Sequence, residues 1–596
     1  MTLEDDAGRS VIDADGYPRQ VLDPIPADLE SRGWTSRSVD CQPKLRALEA
    51  LVSLPAPEPL ASIGYVSKGN ALVVGGDERA VTAAIALSAS LPVTLLLTSR
   101  PSAQATALSR TDLGEATFPI WGGKVVSLKG YLGNFSVKLS GAAVVRDSGA
   151  SALPGEAGAV FDLVVDFSDP PLFGHHQPPQ GYWRVSDDPS LARALAEAPE
   201  AVGDFDKPRF FAYRENLCAH SRSGIEGCNR CIEVCSTEAI ATDGDHVKVD
   251  PHLCMGCGAC AAVCPSGAMS FQFPRVADRG AQLKAMLSAY REAGGRDACI
   301  LFHNGTDGRD LLARAAATGR GLPGRVIPLE SWHVAGIGID LLLGAVSIGA
   351  SQVVVLAAGS EAPEYSRSLR EQFGLAQSIV TAMGYAGRHF VLVESGDAAT
   401  AIDALESLAP AAVPGDAATF ALSNDKRTTV EFAVEHLAKH APSPVVQIAL
   451  APGSPYGEVV VDKEKCTLCL ACAGACPASA LMDGAEVPTL RFLERNCVQC
   501  GLCEHTCPED AIVLRPRLLL GPAARQTRVL NEAQPFDCVS CGKPFGTKQM
   551  VDAMLGRLAG HSMFADAASL KRLKMCADCR VVDMMSNENE VSVLKL

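Results

Sequence analysis

Eight cysteines between positions 466 and 507 stand at spacings suited to metal ligation. Cys466, Cys469, Cys472 and Cys476 read C-x2-C-x2-C-x3-C-P, and Cys497, Cys500, Cys503 and Cys507 repeat the pattern after a spacer of nineteen residues. Thiolates at this density hold zinc or iron–sulfur clusters, or pair as disulfides. Two intervening residues let a looping backbone present successive sulfurs to one small cluster while its amides point inward at the sulfides. Pro477 and Pro508 fix the turn that follows each run. A structural zinc takes four ligands at one site, whereas this spacing is the one that holds 4Fe-4S cubes.

The two runs resemble those of bacterial two-cluster ferredoxins, where three thiolates of one run hold a cube and the fourth reaches across to the other. The resemblance implies Cys466, Cys469, Cys472 and Cys507 as ligands of one cluster, and Cys497, Cys500, Cys503 and Cys476 as ligands of its neighbour. An earlier pair of runs looks like an internal repeat. Cys254, Cys257, Cys260 and Cys264, followed by Pro265, form a faithful run. Its partner keeps Cys228, Cys231 and Cys235 but has Ile225 at the first cysteine position and Ser236 in place of the proline. Cys218, ten positions before Cys228, is the nearest substitute, arriving on the longer loop A-H-S-R-S-G-I-E-G. The phrases S-T-E-A-I, P-S-G-A-M, P-A-S-A-L and P-E-D-A-I follow the four runs and resemble the helical turn and strand entry of the same ferredoxins. The repeat implies one cluster on Cys218, Cys228, Cys231 and Cys264 and another on Cys254, Cys257, Cys260 and Cys235. A non-cysteine fourth ligand and a three-iron cube are the alternatives at Cys218.

Four more cysteines form two knuckles in the tail, C-V-S-C-G-K with Cys538 and Cys541, and C-A-D-C-R with Cys576 and Cys579. They resemble zinc-ribbon or treble-clef sites, which implies one tetrahedral zinc. The 34 residues between the knuckles exceed the usual ribbon spacing and hold a helical insert, K-Q-M-V-D-A-M-L-G-R-L. A redox dithiol in each pair and a mononuclear iron are the alternatives.

The elements that must position these thiols belong to a chain of 596 residues, long enough for several domains, with 47% hydrophobic residues to fill their cores. The expected class is multidomain, α/β and α+β: an extended leader at 1–60, a degenerate Rossmann-like domain at 61–205 and a ferredoxin module with two 4Fe-4S clusters at 206–275. A small parallel α/β domain at 276–455, a second such module at 456–516 and a zinc-ribbon-like domain at 517–596 complete it. Of the 22 cysteines only Cys41, in the leader, and Cys299 fall outside the thiol runs and knuckles, so a reducing, cytoplasmic compartment is expected. A net charge of −15 argues against nucleic acid and suits docking to basic patches on redox partners. Met1 to Arg19 is polar and acidic, without the apolar region of a signal peptide. The apolar stretch Val334 to Gly359 is interrupted by Asp340 and Gln352, and predicts a buried helix near 336–349 and a strand V-V-V-L-A-A instead of a membrane span.

From Asn70 the text reads strand, glycine turn, helix, strand, with F-D-L-V-V-D-F at 161–167 as a further strand and antiparallel alternation between. It resembles the flavoprotein subunit of heterodisulfide reductases. A dinucleotide fingerprint starting at Gly75 needs glycines where Asp77 and Ala80 stand, and Asp77 opposes a pyrophosphate, so neither FAD nor NAD(P)H is expected here. The T-S-R ending lacks a ribose-binding acid; Arg100 is read as solvated. In 276–455, the strands C-I-L-F-H, V-V-V-L-A-A and H-F-V-L-V-E resemble the delta subunit of methyl-viologen-reducing hydrogenase. That family's 2Fe-2S cysteines are replaced here by His303, Asn304, Trp332, His333, Gly359 and Ser360, with only Cys299 nearby, so a docking scaffold is expected and both histidines are read as hydrogen-bonded. The whole resembles polyferredoxins that accompany formate dehydrogenases. It implies four 4Fe-4S clusters relaying electrons between redox partners, as a carrier or subunit of an oxidoreductase complex with no catalytic residue of its own. The rival readings are a flavin-dependent NAD(P)H oxidoreductase and an assembly factor for a metalloenzyme.

Overall fold

The computed structural model describes residues 42–98, 117–146, 159–317, 321–359, 361–484, 487–558, 561, 564 and 566–586. Cys41, Arg100, Ser360 and positions 1–41 of the expected leader lie outside them. The leader's remainder is not extended: Gln42–Val52 is an α-helix. Ala47 is fully buried, and Leu48 and Leu51 join it in the core beneath helix Val276–Glu292. Lys44 Nζ donates to the carbonyls of Leu322 and Pro323 at 3.0 and 2.7 Å. The i, i+1, i+4 spacing of Ala47, Leu48 and Leu51 is helical, but the polar, proline-rich flanks mask it.

Seven strands form the first sheet, in the order Ala159–Phe161, Phe135–Arg146, Ile120–Lys129, Val93–Leu97, Ala71–Gly75, Leu163–Asp166, Tyr182–Arg184. The last five pair in parallel, and the first two complete an antiparallel edge. Every residue of Ala71–Gly75 is buried, with Ala71 and Val73 facing one core and Leu72 and Val74 the other, as a strand covered on both sides requires. A Cβ on Gly75 would come within 2.6 Å of Ala80 Cβ and 2.9 Å of Phe167 Cβ. That close approach of helix Glu78–Leu87 and the neighbouring strand accounts for the glycine.

A second, four-stranded parallel sheet runs Val326–Ser331, Cys299–Asn304, Gln352–Ala357, Phe390–Glu394. Helices Val276–Glu292, Ile339–Ile348 and Pro363–Ala382 contribute to the core on one face, and Asp307–Ala317 and Ala398–Glu406 to that on the other. The long apolar stretch is the centre of this domain, with Ile339–Ile348 and Gln352–Ala357 buried throughout. No described helix is long and apolar enough to cross a membrane.

Helix Lys426–Lys439 begins where the two cysteine-rich units meet. Lys426 Nζ donates to the carbonyls of Ala261, at 3.0 Å, and Ala262. The next residue, Arg427, donates to the carbonyls of Arg495 and Cys497 at 2.6 and 3.0 Å. Two expected boundaries are crossed by strand pairing. Ile512–Leu519 pairs with both Gln447–Ala449 and Gly457–Val461, and Arg528–Glu532 adds a strand to Thr489–Phe492. The second cysteine-rich unit therefore extends past both ends of its thiol runs. Glu494, only 6% exposed, ties these additions together through Arg517 at 2.7 Å and Arg528 at 3.1 Å.

Candidate metal centres

Three of the four runs share one backbone device. Leu468 and Leu470 have φ of 54° and 61°, Gln499 and Gly501 52° and 84°, and Gly256 and Gly258 76° and 77°. Left-handed residues alternating with ordinary ones turn successive amides to the same side, making a concavity for an anionic group. The run that lacks its first cysteine lacks the device: Asn229 has φ −112°, and a short helix starts at Arg230. After the fourth cysteine all four runs turn alike, with Glu238, Gly267, Ser479 and Asp510 at φ 49°, 71°, 49° and 48°. The turn aims a backbone N–H at the fourth thiol in three of them. Ala480 N meets Cys476 Sγ at 3.2 Å, Ala511 N meets Cys507 Sγ at 3.4 Å, and Met269 N meets Cys264 Sγ at 3.4 Å. Cys235 Sγ faces Thr237 Oγ1 at 3.5 Å instead.

The loop before Cys228 is a hairpin. Ser221–Arg222 pairs with Ile225–Glu226 across Ser223 and Gly224, both with positive φ, as a two-residue turn of this kind needs. Asp245 closes it, accepting from Ser221 Oγ and Ser223 N at 3.0 Å each. Cys228 N donates to Ala219 O at 2.8 Å, so the hairpin folds Cys218 back to the position that Ile225 cannot serve. One cavity is lined by Cys218, Cys228, Cys231 and Cys264 together.

Thiol electrostatics group the rest in the same fashion. Burial, reinforced by Cys469, Cys466 and Cys507, pushes Cys472 up to about 12. Burial with Cys497 and Cys476 does the same to Cys500, also to about 12. Burial lifts Cys228 to about 11, with Cys264 and Cys218 contributing, and Cys257 to about 12, with Cys235 and Cys254 contributing. The sets also act on one another electrostatically: Cys472 on Cys503, Cys228 on Cys500, and Cys231 on Cys260. By these couplings the sixteen thiols fall into four groups of four, each acting on the next in a row from the Cys466 group to the Cys254 group. At the middle junction His505 Nδ1 lies 3.2 Å from Glu226 O, and Leu502 packs against Gly227.

Residues 226–268 and 465–512 each match a family described as a 4Fe-4S dicluster domain. The chain carries two ferredoxin-type dicluster domains. Over 39 residues it is 46% identical to a "Ferredoxin 7Fe" of Hydrogenibacillus schlegelii, covering 6% of this chain and 50% of that protein. Over 57 residues it is 37% identical to "Pyruvate synthase subunit PorD" of Thermotoga maritima, covering 10% and 57%. "Hydrogenase-4 component A" of Escherichia coli is 40% identical over 52 residues, 9% and 25% of the two chains. The chain spans about half the length of the first two relatives and a quarter of the third. Cys218 lies upstream of the first matched segment, so its place beside Cys228 comes from the hairpin alone.

The two ends of the row differ. At the first dicluster domain, Lys207 Nζ donates to the carbonyls of His252 and Cys254 at 2.8 Å each, and Trp332 Nε1 to Met255 O at 3.2 Å. A Cβ on Gly256 would strike the Phe210 ring at 2.7 Å. Tyr65, in the core of the first sheet's domain, donates its hydroxyl to His252 O at 2.7 Å, so with Trp332 both α/β domains cover the Cys254 loop, while Cys469 at the opposite end is exposed.

The tail thiols form a tighter group. The sulfurs of Cys538, Cys541, Cys576 and Cys579 all lie within 4.8 Å of one another, with Cys541 and Cys576 at 3.7 Å. A zinc with Zn–S of about 2.3 Å places tetrahedral sulfurs about 3.8 Å apart, so the donor set fits that ion. Burial raises Cys538, but the backbone N–H groups of Cys541, Cys576 and Ser540 outweigh it and hold this thiol down at about 6. Hydrogen bonding with Cys541 and Cys576 pushes Cys579 up to about 12. All described cysteines are free of disulfides.

Asp77 caps helix Glu78–Leu87, its Oδ1 accepting from Ala80 N at 3.0 Å. The carboxylate thus sits on the amides a pyrophosphate would use. His303 and His333, at the carboxyl ends of their strands, are both held near pKa 4 by burial. His303 Nδ1 lies 2.9 Å from Asn304 O, and His333 Nδ1 accepts from Ala335 N at 3.0 Å. Cys299 is buried at the opposite end of the His303 strand, so the thiol and this imidazole do not share one site. Sequence reading missed Tyr365, whose hydroxyl reaches the first dicluster domain from helix Pro363–Ala382, and Gln499, whose Nε2 donates to Cys497 Sγ at 3.3 Å.

Proposed function

We propose that this chain is a polyferredoxin: an electron carrier with four 4Fe-4S clusters that links redox partner proteins. The observation that carries the reading is the single row of four thiol groups, covered at Cys254 and open at Cys469. Cys466, Cys469, Cys472 and Cys507 hold the open end, followed by Cys497, Cys500, Cys503 and Cys476. Cys218, Cys228, Cys231 and Cys264 come next, and Cys254, Cys257, Cys260 and Cys235 close the row. When bound, each cluster supplies a one-electron couple. The chain's own part is to give up thiol protons that burial holds in place, to aim amides at the sulfurs and to exclude water. Cys538, Cys541, Cys576 and Cys579 hold one zinc. The two α/β domains act as docking scaffolds, without bound FAD. Formate dehydrogenase is the partner that the resemblance implies, and the free thiols suit the cytoplasm.

Anaerobic analysis of the purified chain tests the reading. About sixteen irons with matching sulfide are expected. About eight would remove one dicluster domain, and flavin released at one per chain would replace the carrier with a flavoenzyme. The seven irons in the name of one relative make about fifteen, with a three-iron cube at the Cys218 group, a distinguishable outcome.

A further inference from the structure

Ser236 breaks the repeat, since Pro265, Pro477 and Pro508 stand after the other three runs. Its hydroxyl lies 2.5 Å from the Tyr365 hydroxyl, 129 residues away in sequence. The Cys257 thiol packs against the side-chain cluster that contains this phenol, and the two groups act on each other electrostatically. Tyr365 sits in the first turn of helix Pro363–Ala382, fully buried against Val234, Ala259, Val263 and Ala335. His333 meets its ring edge-on, with centroids 5.0 Å apart. The phenol is therefore held in place by packing, with one hydroxyl hydrogen-bonded to it and one cluster thiol beside it. A proline at 236 would have no hydroxyl to offer, so the departure from the repeat and the buried phenol form one arrangement.

We propose that Ser236 and Tyr365 form a hydrogen-bond chain onto Cys257 that raises the reduction potential of the cluster at the covered end of the row. The inference rests on the reading that Cys254, Cys257, Cys260 and Cys235 hold a 4Fe-4S cluster. With a thiolate as acceptor, Tyr365 donates to Cys257 Sγ and Ser236 donates to the phenol oxygen. Reduction adds negative charge to the cluster and its sulfurs, so a donor aimed at one sulfur stabilises the reduced form more than the oxidised one. Both hydroxyls are buried, which strengthens the effect. Ser236 and Tyr365 are positioning residues that bias where in the row an electron rests.

The test is a redox titration of the full-length, anaerobically purified protein followed by electron paramagnetic resonance, with iron counted in each sample. In Tyr365→Phe the iron content stays at the parent value and one midpoint falls by a shift on the order of tenfold in the equilibrium, about 59 mV for one electron. The shifted signal is the one lost in Cys254→Ala. Ser236→Ala moves that signal in the same direction by less, and Ser236→Thr restores it. Unchanged midpoints in Tyr365→Phe at full iron content overturn the inference. If the phenol's removal costs the cluster itself, Ser236→Ala decides the matter, since it leaves the ring in place: an unchanged midpoint there overturns the inference equally. A parent protein in which Cys254→Ala removes no iron and no signal would instead sink the underlying cluster assignment.

Discussion

Gly227 stands at the junction of the two dicluster domains, and its replacement by alanine measures how tightly they are joined. The new Cβ would lie 2.6 Å from Ala219 O and 2.8 Å from Leu502 Cγ. Relief requires about 1 Å of movement at each contact, since carbon atoms rest at about 3.5–4.0 Å from such neighbours. Leu502 can turn aside, but Ala219 O cannot withdraw without lengthening its 2.8 Å bond from Cys228 N. Overpacking of this kind costs about 1–3 kcal/mol. If the strain falls on the hairpin, its amides open about 5 to 150 times more often, at about 1.4 kcal/mol per tenfold. Hydrogen exchange of peptides covering 219–228, in the iron-loaded protein under anaerobic conditions, reads this directly. Adding Leu502→Ala removes one of the two clashes and restores part of the protection. Parent-like exchange in Gly227→Ala would refute the packing described at this junction.

Cys218→Ala leaves three thiols in its cavity and takes the iron content from about sixteen to about twelve, or to about fifteen if a three-iron cube survives; an unchanged count and spectrum would show that another group serves as fourth ligand. The full chain binds one zinc that resists mild chelation, and Cys541→Ser releases it; iron-only protein with four titratable tail thiols would favour the dithiol alternative. His303 and His333 stay neutral when folded, held near pKa 4 by burial. Both states are neutral above the unfolded value of about 6.5; below it the unfolded chain takes up protons that the folded chain refuses, so stability falls toward pH 4 by up to about 1.4 kcal/mol per pH unit for each histidine. Unfolding of the parent and of His303→Gln at about pH 7 and about pH 5 checks this, and an equal loss in both would remove His303 from the account.

The thiol runs were legible because ligand spacing is a local property, and so were the strands Cys299–Asn304 and Gln352–Ala357, buried on both faces and carrying the apolar stretches C-I-L-F and V-V-V-L-A. Cys218 was legible as a candidate, but not its means of arrival: Ser223 and Gly224 form a turn only because Asp245, some twenty residues on, accepts from it. Helix Gln42–Val52 and strand Arg528–Glu532 were missed because both exist through distant partners, the core beneath Val276–Glu292 and the edge of Thr489–Phe492. Strand Val326–Ser331 carries Pro328 in its middle, which argues against a strand in a local reading. The pairing of Ser236 with Tyr365 spans 129 residues, and only the deviation from proline hinted at it.

Lys426 and Arg427 hold the two dicluster domains from adjacent positions of one helix, by the carbonyls of Ala261 and Ala262 on one side and of Arg495 and Cys497 on the other. Neighbouring Cα atoms are about 3.8 Å apart whatever the rest of the chain does. The two halves of the row are thus gripped by side chains that leave one helix a single peptide unit apart, like workpieces clamped in one jig. The domain threaded between them in sequence is therefore not a tether whose length can drift. A shortened protein made by excising it, with the two halves joined through a flexible linker, would keep every thiol and the contact of Leu502 with Gly227, but lose the clamp.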